Sequence, residues 1–157
     1  MTTPMARLDS VSDYLEADHR RLDDILLRTQ AKVAAGDMAG AAVLFAPFHD
    51  GLLRHIRIEE DLVFPDFEAA TGMGGGGGPT GVMRTEHTEI KRLLALLKTH
   101  LGSSAPAAAE FERLRAALVA VLSGHNMKEE QILYPMTDRM VPAARLRDLM
   151  SKIRDTP

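Results

Sequence analysis

Two stretches of this sequence repeat one pattern, and that pattern is the main indication of the fold. Residues 55–65 read His-Ile-Arg-Ile-Glu-Glu-Asp-Leu-Val-Phe-Pro, and residues 125–135 read His-Asn-Met-Lys-Glu-Glu-Gln-Ile-Leu-Tyr-Pro. Both have the form His-x-x-x-Glu-Glu-x-apolar-apolar-aromatic-Pro. In a helix of 3.6 residues per turn, a histidine and a glutamate four positions apart lie on the same face. The pattern predicts two helices that each present an imidazole beside a carboxylate and end before proline.

A weaker echo of this repeat precedes each stretch. It reads Asp18-His19-x-x-Leu22 in the first half of the chain and Glu86-His87-x-x-Ile90 in the second. His19 and His87 are 68 positions apart, and His55 and His125 are 70 positions apart. These nearly equal separations indicate two helical hairpins related by a pseudo-two-fold axis, an arrangement that suits two metal ions better than one.

Glycine and proline divide the chain into four long helical segments and one short one. Apolar residues recur in each long segment at spacings of three and four, which is typical of an amphipathic helix. The predicted helices cover about residues 10–35, 37–64, 80–101, 106–134 and 142–154. Pro47 is expected to kink or split the second helix, and Pro65 is expected to end it. Residues 72–79 hold five consecutive glycines and predict a flexible loop between the hairpins.

The predicted architecture follows from these segments. No segment alternates apolar and polar residues with period two, so no sheet is expected. Four amphipathic helices of similar length favour an all-α fold, namely an antiparallel up-down-up-down four-helix bundle with a short C-terminal helix. We expect a single domain over residues 1–157, with its core at about residues 8–155.

The composition limits the available chemistry. The 157 residues include six histidines and 22 acidic residues but no cysteine, which excludes disulfides, thiolate zinc sites, iron–sulfur clusters and cysteine nucleophiles. A net charge of −3 argues against a dedicated nucleic-acid binder. No stretch is apolar for long enough to span a membrane, and the N-terminal residues lack the apolar core of a signal peptide. We therefore expect a cytoplasmic protein without a nucleic-acid or membrane partner.

Six polar residues interrupt the apolar stripes at positions where core side chains are expected. Each long helix contributes one histidine, and two helices add a glutamate. These candidate metal ligands are His19, His55, Glu59, His87, His125 and Glu129. In the fourth helix, Val121 lies four before the histidine and Ile132 lies three after the glutamate, so both are expected in the core.

A metal ion at the centre would explain why these six residues can be buried together. A buried ionised carboxylate without a partner costs several kcal/mol, and no lysine or arginine lies on the stripes at matching depth. A neutral network of histidine–glutamate hydrogen bonds is the alternative, but six polar groups would displace much of the core. Nitrogen and oxygen donors suit iron or manganese, with zinc possible.

At these residues the sequence resembles the hemerythrin-like family of HHE cation-binding domains. The family signature is H…HxxxE…H…HxxxE, which the six residues match in order within a resemblance that covers about residues 8–155. The resemblance implies a four-helix bundle around a non-haem di-iron centre. Glu59 and Glu129 would bridge the two iron ions and the four histidines would bind terminally. An oxo or hydroxo bridge between the ions would leave one open position on each.

Two positions depart from the oxygen-carrying hemerythrins. Those proteins have a second histidine where this chain has Lys91, and an aspartate five residues after the last histidine, whereas Glu129 follows it by four. The resemblance is to the four-histidine, two-glutamate branch, which includes iron-centre repair proteins and iron- or oxygen-sensing domains. It implies a protein that binds, senses or responds to O2, peroxide or NO, or that handles iron. The alternatives are a catalase-like or oxidase enzyme at the same centre and a metal-stabilised interaction module.

Other polar and aromatic residues near the six are expected to play lesser roles. Glu60 and Glu130 are expected to be solvated or to lie behind the ligands, because adjacent helical residues face different directions. Asp23 is expected near the edge of the bundle. Tyr134 is expected either to cover the site or to pack under the Pro135 turn, and packing is the favoured alternative. His49 and His100 are expected at the surface or rim.

Overall fold

A computed structural model describes residues 8–157 and shows them as helices joined by short connections. The α-helices are α1 (Val11–Ala34), α2 (Met38–Ile58), α3 (Phe64–Thr71), α4 (Pro79–Leu101), α5 (Ala108–Lys128), α6 (Tyr134–Met140) and α7 (Ala143–Asp155). A π-helical turn at Glu59–Val63 joins α2 to α3, and another at Glu129–Leu133 joins α5 to α6. No strand occurs among residues 8–157, so the all-α prediction is confirmed.

Local side-chain chemistry sets the ends of the first two helices. The Ser10 hydroxyl accepts a hydrogen bond from the N–H of Asp13 at 3.0 Å and so caps α1. The chain leaves α1 through Gly36, whose φ of +79° is a left-handed conformation that glycine adopts without strain. Asp37 caps α2 by accepting from the N–H of Gly40 at 2.8 Å. These ends agree with the predicted ends to within a residue or two.

The predicted end of the second helix at Pro65 is wrong. Helical structure continues through this proline to Thr71, and α2 also continues through Pro47 without being split. In the π turn the N–H of Phe64 donates to the carbonyl of Glu59, five residues earlier. Pro65 then lies in the first turn of α3, where its missing N–H removes no helical hydrogen bond.

Helical structure also continues past the proline of the second repeat, and the π turn there changes which residues are buried. The chain continues through Pro135 into α6, so the fourth helix does not end before this proline. Ile132 is 52% exposed, whereas Leu133 and Tyr134 are buried. The π turn carries one residue more than an α-turn, so the buried face moves along by one position in the sequence. The apolar spacing predicts a buried Ile132 only for an undistorted α-helix, and this turn is a π turn.

The four long helices α1, α2, α4 and α5 pack against one another in a ring. Helix α1 contacts α2 and α5, and α4 contacts the same two helices. The buried apolar side chains form two clusters. The larger includes Leu22, Leu52, Ile90 and Leu122, and the smaller includes Leu15, Ile58, Met83 and Leu133. On each long helix a predicted histidine lies between members of the two clusters, so a polar layer separates them.

The C-terminal helix α7 covers the end of the molecule near the first π turn. Leu149, Met150 and Ile153 are buried in the smaller apolar cluster. Arg54 of α2 donates to the carbonyl of Thr156 at 3.0 Å and so ties the end of the chain to the bundle. Within residues 8–157, no helix has the length and apolar character needed to cross a membrane. The signal-peptide prediction concerns mainly residues 1–7, which lie outside the described residues.

Candidate metal centre

The six residues that interrupt the apolar stripes meet in the layer between the two apolar clusters. None of them is more than 4% exposed. The four histidines come one each from the long helices, and the two glutamates are the first residues of the π turns: His19 (α1), His55 (α2), Glu59, His87 (α4), His125 (α5) and Glu129. π-helical turns occur frequently at functional sites.

The histidines form two pairs. The ring centroids of His19 and His55 are 4.6 Å apart, and those of His87 and His125 are 4.8 Å apart. In the second of these pairs the two Nε2 atoms are 3.1 Å apart. Below, the first pair means His19 and His55, and the second pair means His87 and His125. Each pair therefore combines one ring from each of two neighbouring helices.

Each buried glutamate reaches one histidine of each pair. Oε1 of Glu59 lies 3.3 Å from Nε2 of His55 and 3.4 Å from Nε2 of His87. Oε1 of Glu129 lies 3.4 Å from Nε2 of His19 and 3.3 Å from Nε2 of His125. Both carboxylates therefore lie between the pairs, where they could contact two ions at once.

The outer nitrogen of every ring faces a carboxylate. The Nδ1 contacts are His55 to Asp18 (2.8 Å), His87 to Glu60 (2.9 Å), His19 to Glu130 (3.0 Å) and His125 to Glu86 (3.2 Å). An ionised carboxylate can only accept a hydrogen bond, so Nδ1–H donates. In the neutral ring this leaves the Nε2 lone pair for the centre of the site, which is the arrangement that metal-binding histidines need.

Two of these four outer carboxylates were missed by the sequence analysis. Glu60 and Glu130 lie behind the rings, one of the positions expected for them, but Asp18 and Glu86 were not assigned a role. Each of the missed residues directly precedes a site histidine of its own helix yet contacts a histidine of the neighbouring helix. The acid-His dipeptide that recurs in both hairpins was the available signal.

Basic side chains outside the core support three of the four outer carboxylates. Arg21 lies 2.8 Å from Asp18, Lys128 lies 2.8 Å from Glu86, and Lys91 lies 3.3 Å from Glu60. Lys91, at the position where the oxygen-carrying hemerythrins have their second histidine, thus places a cation outside the layer of six inner residues. Three of the outer carboxylates are thus charge-paired, whereas the inner carboxylates have no lysine or arginine among the described residues beside them.

The inner layer concentrates negative charge. No lysine or arginine is buried anywhere in residues 8–157. Oε1 of Glu59 and Oε2 of Glu129 are buried and make no hydrogen bond with any described residue. Such groups are costly in a low-dielectric interior unless a cation neutralises them.

Protons take up part of this charge, as the pKa values of the inner residues indicate. Burial lowers the pKa of His19, but its contacts with Glu129, Glu130 and Glu59 outweigh this effect and raise that pKa to about 9. The pKa of His125 is raised for the same reason. Burial, followed by the nearby charge of Glu129, raises the pKa of Glu59. Burial also acts to raise the pKa of Glu129, but its interactions with Glu59 and the two histidines lower it. Metal binding would displace the protons on the ligands.

Tyr134 is also part of this layer, which agrees with the less favoured alternative for it rather than with packing under the Pro135 turn. It is fully buried, and its hydroxyl donates to Oε2 of Glu59 at 2.9 Å. Burial, together with the charges of the two glutamates, raises the pKa of this phenol well above its usual value. The π turn brings the ring to the centre by the same shift that exposes Ile132.

The donor set fits a divalent or trivalent transition-metal ion. Metal–ligand distances of about 2.1 Å place neighbouring donors about 3.0–3.4 Å apart, and the inner contacts of 3.1–3.4 Å lie in this range. The donors form two groups, and within each group the ligand atoms lie within 4.8 Å of one another. One group is Glu59, His87, His125 and Glu129, and the other is His19, His55 and Glu129. Glu129 belongs to both groups.

A surface cavity of about 480 Å³ lies beside the site, between α1 and α5. Its lining includes His19, Asp23, Ser123 and Glu130. Asp23 is exposed at this rim, near the edge of the bundle as expected. The other two histidines contact neighbours away from the centre, where His49 faces Asp50 and His100 faces the backbone of residue 107.

Comparison with known proteins agrees with this geometry. The family model described as "Hemerythrin HHE cation binding domain" matches residues 10–137 of the chain. Neither a curated protein nor a solved structure matches significantly. The family match spans well over half of the chain and includes all six residues of the inner layer. The chain belongs to the hemerythrin HHE cation-binding domain family.

Proposed function

We propose that this protein binds two iron ions in the polar layer and uses them to bind and respond to a small oxidant such as O2, peroxide or NO. One observation carries the proposal: two buried glutamates, each with an oxygen that makes no hydrogen bond within residues 8–157, lie between two histidine pairs. Cations at this position would neutralise charge that no buried basic side chain neutralises. Iron in such a site supplies redox chemistry and binding positions for small ligands.

The proposed ligands are the six residues of the inner layer. His19 and His55 would bind one ion, and His87 and His125 would bind the other. Glu59 and Glu129 would contact both ions, because each lies close to one histidine of either pair. Manganese or zinc could also use this donor set, and membership of the HHE family favours iron.

The surrounding protein would orient the ligands and exclude water. The four outer carboxylates hold the rings by their Nδ1 atoms and increase the basicity of the inner nitrogens. The two apolar clusters close the layer above and below, which keeps the carboxylates in a low-dielectric environment. We infer that α1, α2, α4 and α5 form an antiparallel up-down-up-down bundle and that the chain is a single hemerythrin-like domain. The ring of helix contacts and the extent of the family match support this inference.

Metal analysis of natively purified protein tests the proposal. We expect two iron ions per chain, and we expect stoichiometric spectral changes on addition of O2 or NO. A metal-free protein of full thermal stability that does not take up added iron would refute the proposal. Bound metal without any spectral response would leave only a structural role, and many peroxide turnovers per metal would indicate the catalase-like alternative.

Two histidine variants provide a matched comparison. His87→Ala removes a proposed ligand, and His49→Ala removes a histidine that contacts Asp50 away from the site. We expect the first variant to lose at least one iron ion per chain and the second to keep both. Circular dichroism of both proteins would show that the helices are retained.

A further inference from the structure

The two halves of the centre differ at one position of the internal repeat. Phe64 and Tyr134 both follow a π turn and precede a proline, and they are 70 positions apart, like His55 and His125. Phe64 stacks on His87 of the second pair, with centroids 5.7 Å apart and an interplanar angle of 9°. Tyr134 lies beside the first pair, but it carries a hydroxyl where the phenylalanine has only hydrogen.

That hydroxyl points at the inner donor atoms. Its oxygen lies 3.2 Å from Nε2 of His55 and 3.3 Å from Nε2 of His19, the two rings of the first pair. It lies 2.9 Å from Oε2 of Glu59 and 3.2 Å from Oε1 of Glu129. The distances to the two histidines and to Glu129 fall in the range of about 3.0–3.4 Å expected between neighbouring ligands of one metal ion, and the distance to Glu59 is slightly shorter.

The two histidine pairs also differ in the donor groups around them. The compact donor group around His87 and His125 contains both glutamates, whereas the compact group around His19 and His55 contains Glu129. Glu59 approaches the first pair only through Oε1, which lies 3.3 Å from Nε2 of His55. The tyrosine oxygen lies beside the smaller group and adds a protein donor to it.

We propose that Tyr134 is a direct ligand of the metal ion held by His19 and His55, so that the two metal positions are chemically different. This inference rests on the proposed two-metal site. On binding, the O–H bond of the phenol breaks heterolytically, its electron pair stays on the oxygen that binds the metal, and the proton leaves to solvent. No electron is transferred in this step. Phenolate oxygen is a known protein ligand of iron.

The asymmetry assigns the two halves different roles toward small ligands. With Tyr134 bound, the metal position at the first pair would have one place fewer for an exogenous ligand. The ring of Phe64, which stacks on His87 in the second half, offers no donor atom, so that a place for an exogenous ligand would remain there. Small ligands would therefore bind to the metal held by His87 and His125, against an apolar wall.

The visible spectrum of the full-length protein loaded with ferric iron tests the inference. Phenolate bound to iron(III) gives a charge-transfer band in the visible region and enhances phenol ring modes in resonance Raman spectra, whereas imidazole and carboxylate ligands give neither. We expect both signals in the unmodified protein and neither in Tyr134→Phe, with two iron ions per chain in each. The matched variant Phe64→Tyr should add a second phenolate, strengthen the band and abolish the binding of added azide.

The outcomes separate this inference from the proposed function. If the unmodified protein holds two ferric ions but shows no phenolate signal, Tyr134 is only a hydrogen-bond donor to the glutamates and the inference is wrong, while the proposed function stands. An unchanged band in Tyr134→Phe would overturn the inference equally, because another group would be its source. If the unmodified protein holds no iron, the inference and the proposed function both fail.

Discussion

Replacement of Asp18 by asparagine tests whether the outer carboxylates hold the metal-binding rings. Asp18 is only 8% exposed and accepts from Nδ1 of His55 at 2.8 Å, the shortest of the four outer contacts. Burial acts to raise its pKa, but hydrogen bonds from His55 and Arg21 outweigh burial and lower that pKa, so the side chain is ionised at neutral pH. Asparagine keeps the shape of the side chain but removes its charge and one acceptor oxygen.

The structure sets the size of the expected effect. Loss of an outer partner of a metal-binding histidine typically weakens metal affinity about 10–100-fold. Because Asp18 is buried and its contact is short, we expect a loss near 100-fold, which is about 2.7 kcal/mol less metal-dependent stabilisation. For a domain of this size that corresponds to a metal-induced rise in Tm smaller by about 5–10 °C. Glu86→Gln should be nearer tenfold, since Glu86 is more exposed and its contact is 3.2 Å long.

The assay is competition for iron(II) against a chromophoric chelator, together with thermal unfolding with and without metal. The difference in Tm between the two states matters, because Asp18→Asn also loses contacts in the metal-free protein. Asp24→Asn is the matched control, since Asp24 is an exposed acid on the same helix. Wild-type affinity and an unchanged metal-induced shift in Asp18→Asn would refute the argument that the carboxylate orients the ring.

Three further predictions concern the inner layer and the core. Glu129→Gln should lower the metal content from two ions toward one or none. Glu59→Gln should lower the metal content less, because Glu129 belongs to both donor groups. Metal analysis that finds two ions in both variants would exclude bridging. The pKa of His19 is raised to about 9, so its contribution to metal-free stability is complete below about pH 6.5 and is lost as the pH rises through 9. Denaturant unfolding should show a loss of up to about 3 kcal/mol over this range in the metal-free protein and none in the loaded protein, and a flat metal-free profile would contradict it. Phe48→Ala should lower the free energy of unfolding by about 3–5 kcal/mol, because the Phe48 side chain is 1% exposed in the larger cluster. The metal content should stay unchanged. Altered metal content would show that this cluster also shapes the site.

Local spacing was enough to predict the helices and the residues that converge. The i, i+4 relation between His55 and Glu59 is a property of one helix, so it needs no knowledge of the neighbours. The helix ends at proline were wrong because the rule that proline ends a helix assumes α-helical hydrogen bonding. A π turn before Pro65 removes that constraint, and its counterpart in the second repeat changes which side chain faces inward. The prediction of a buried Ile132 is therefore wrong, and Tyr134 faces the site, the less favoured of its two predicted positions.

Residue spacing alone predicts that four histidines and two glutamates share the buried faces of the helices, because side-chain direction along a helix follows from it. It also indicates family membership, since the order and spacing of the six residues can be read along the chain. The pairing of the histidines and the carboxylates that contact their Nδ1 atoms depend on the tertiary structure. Asp18 supports His55 rather than its own neighbour, and Tyr134 reaches the first histidine pair from a different hairpin. Such contacts depend on how helices distant in sequence pack together, and no local periodicity specifies that packing.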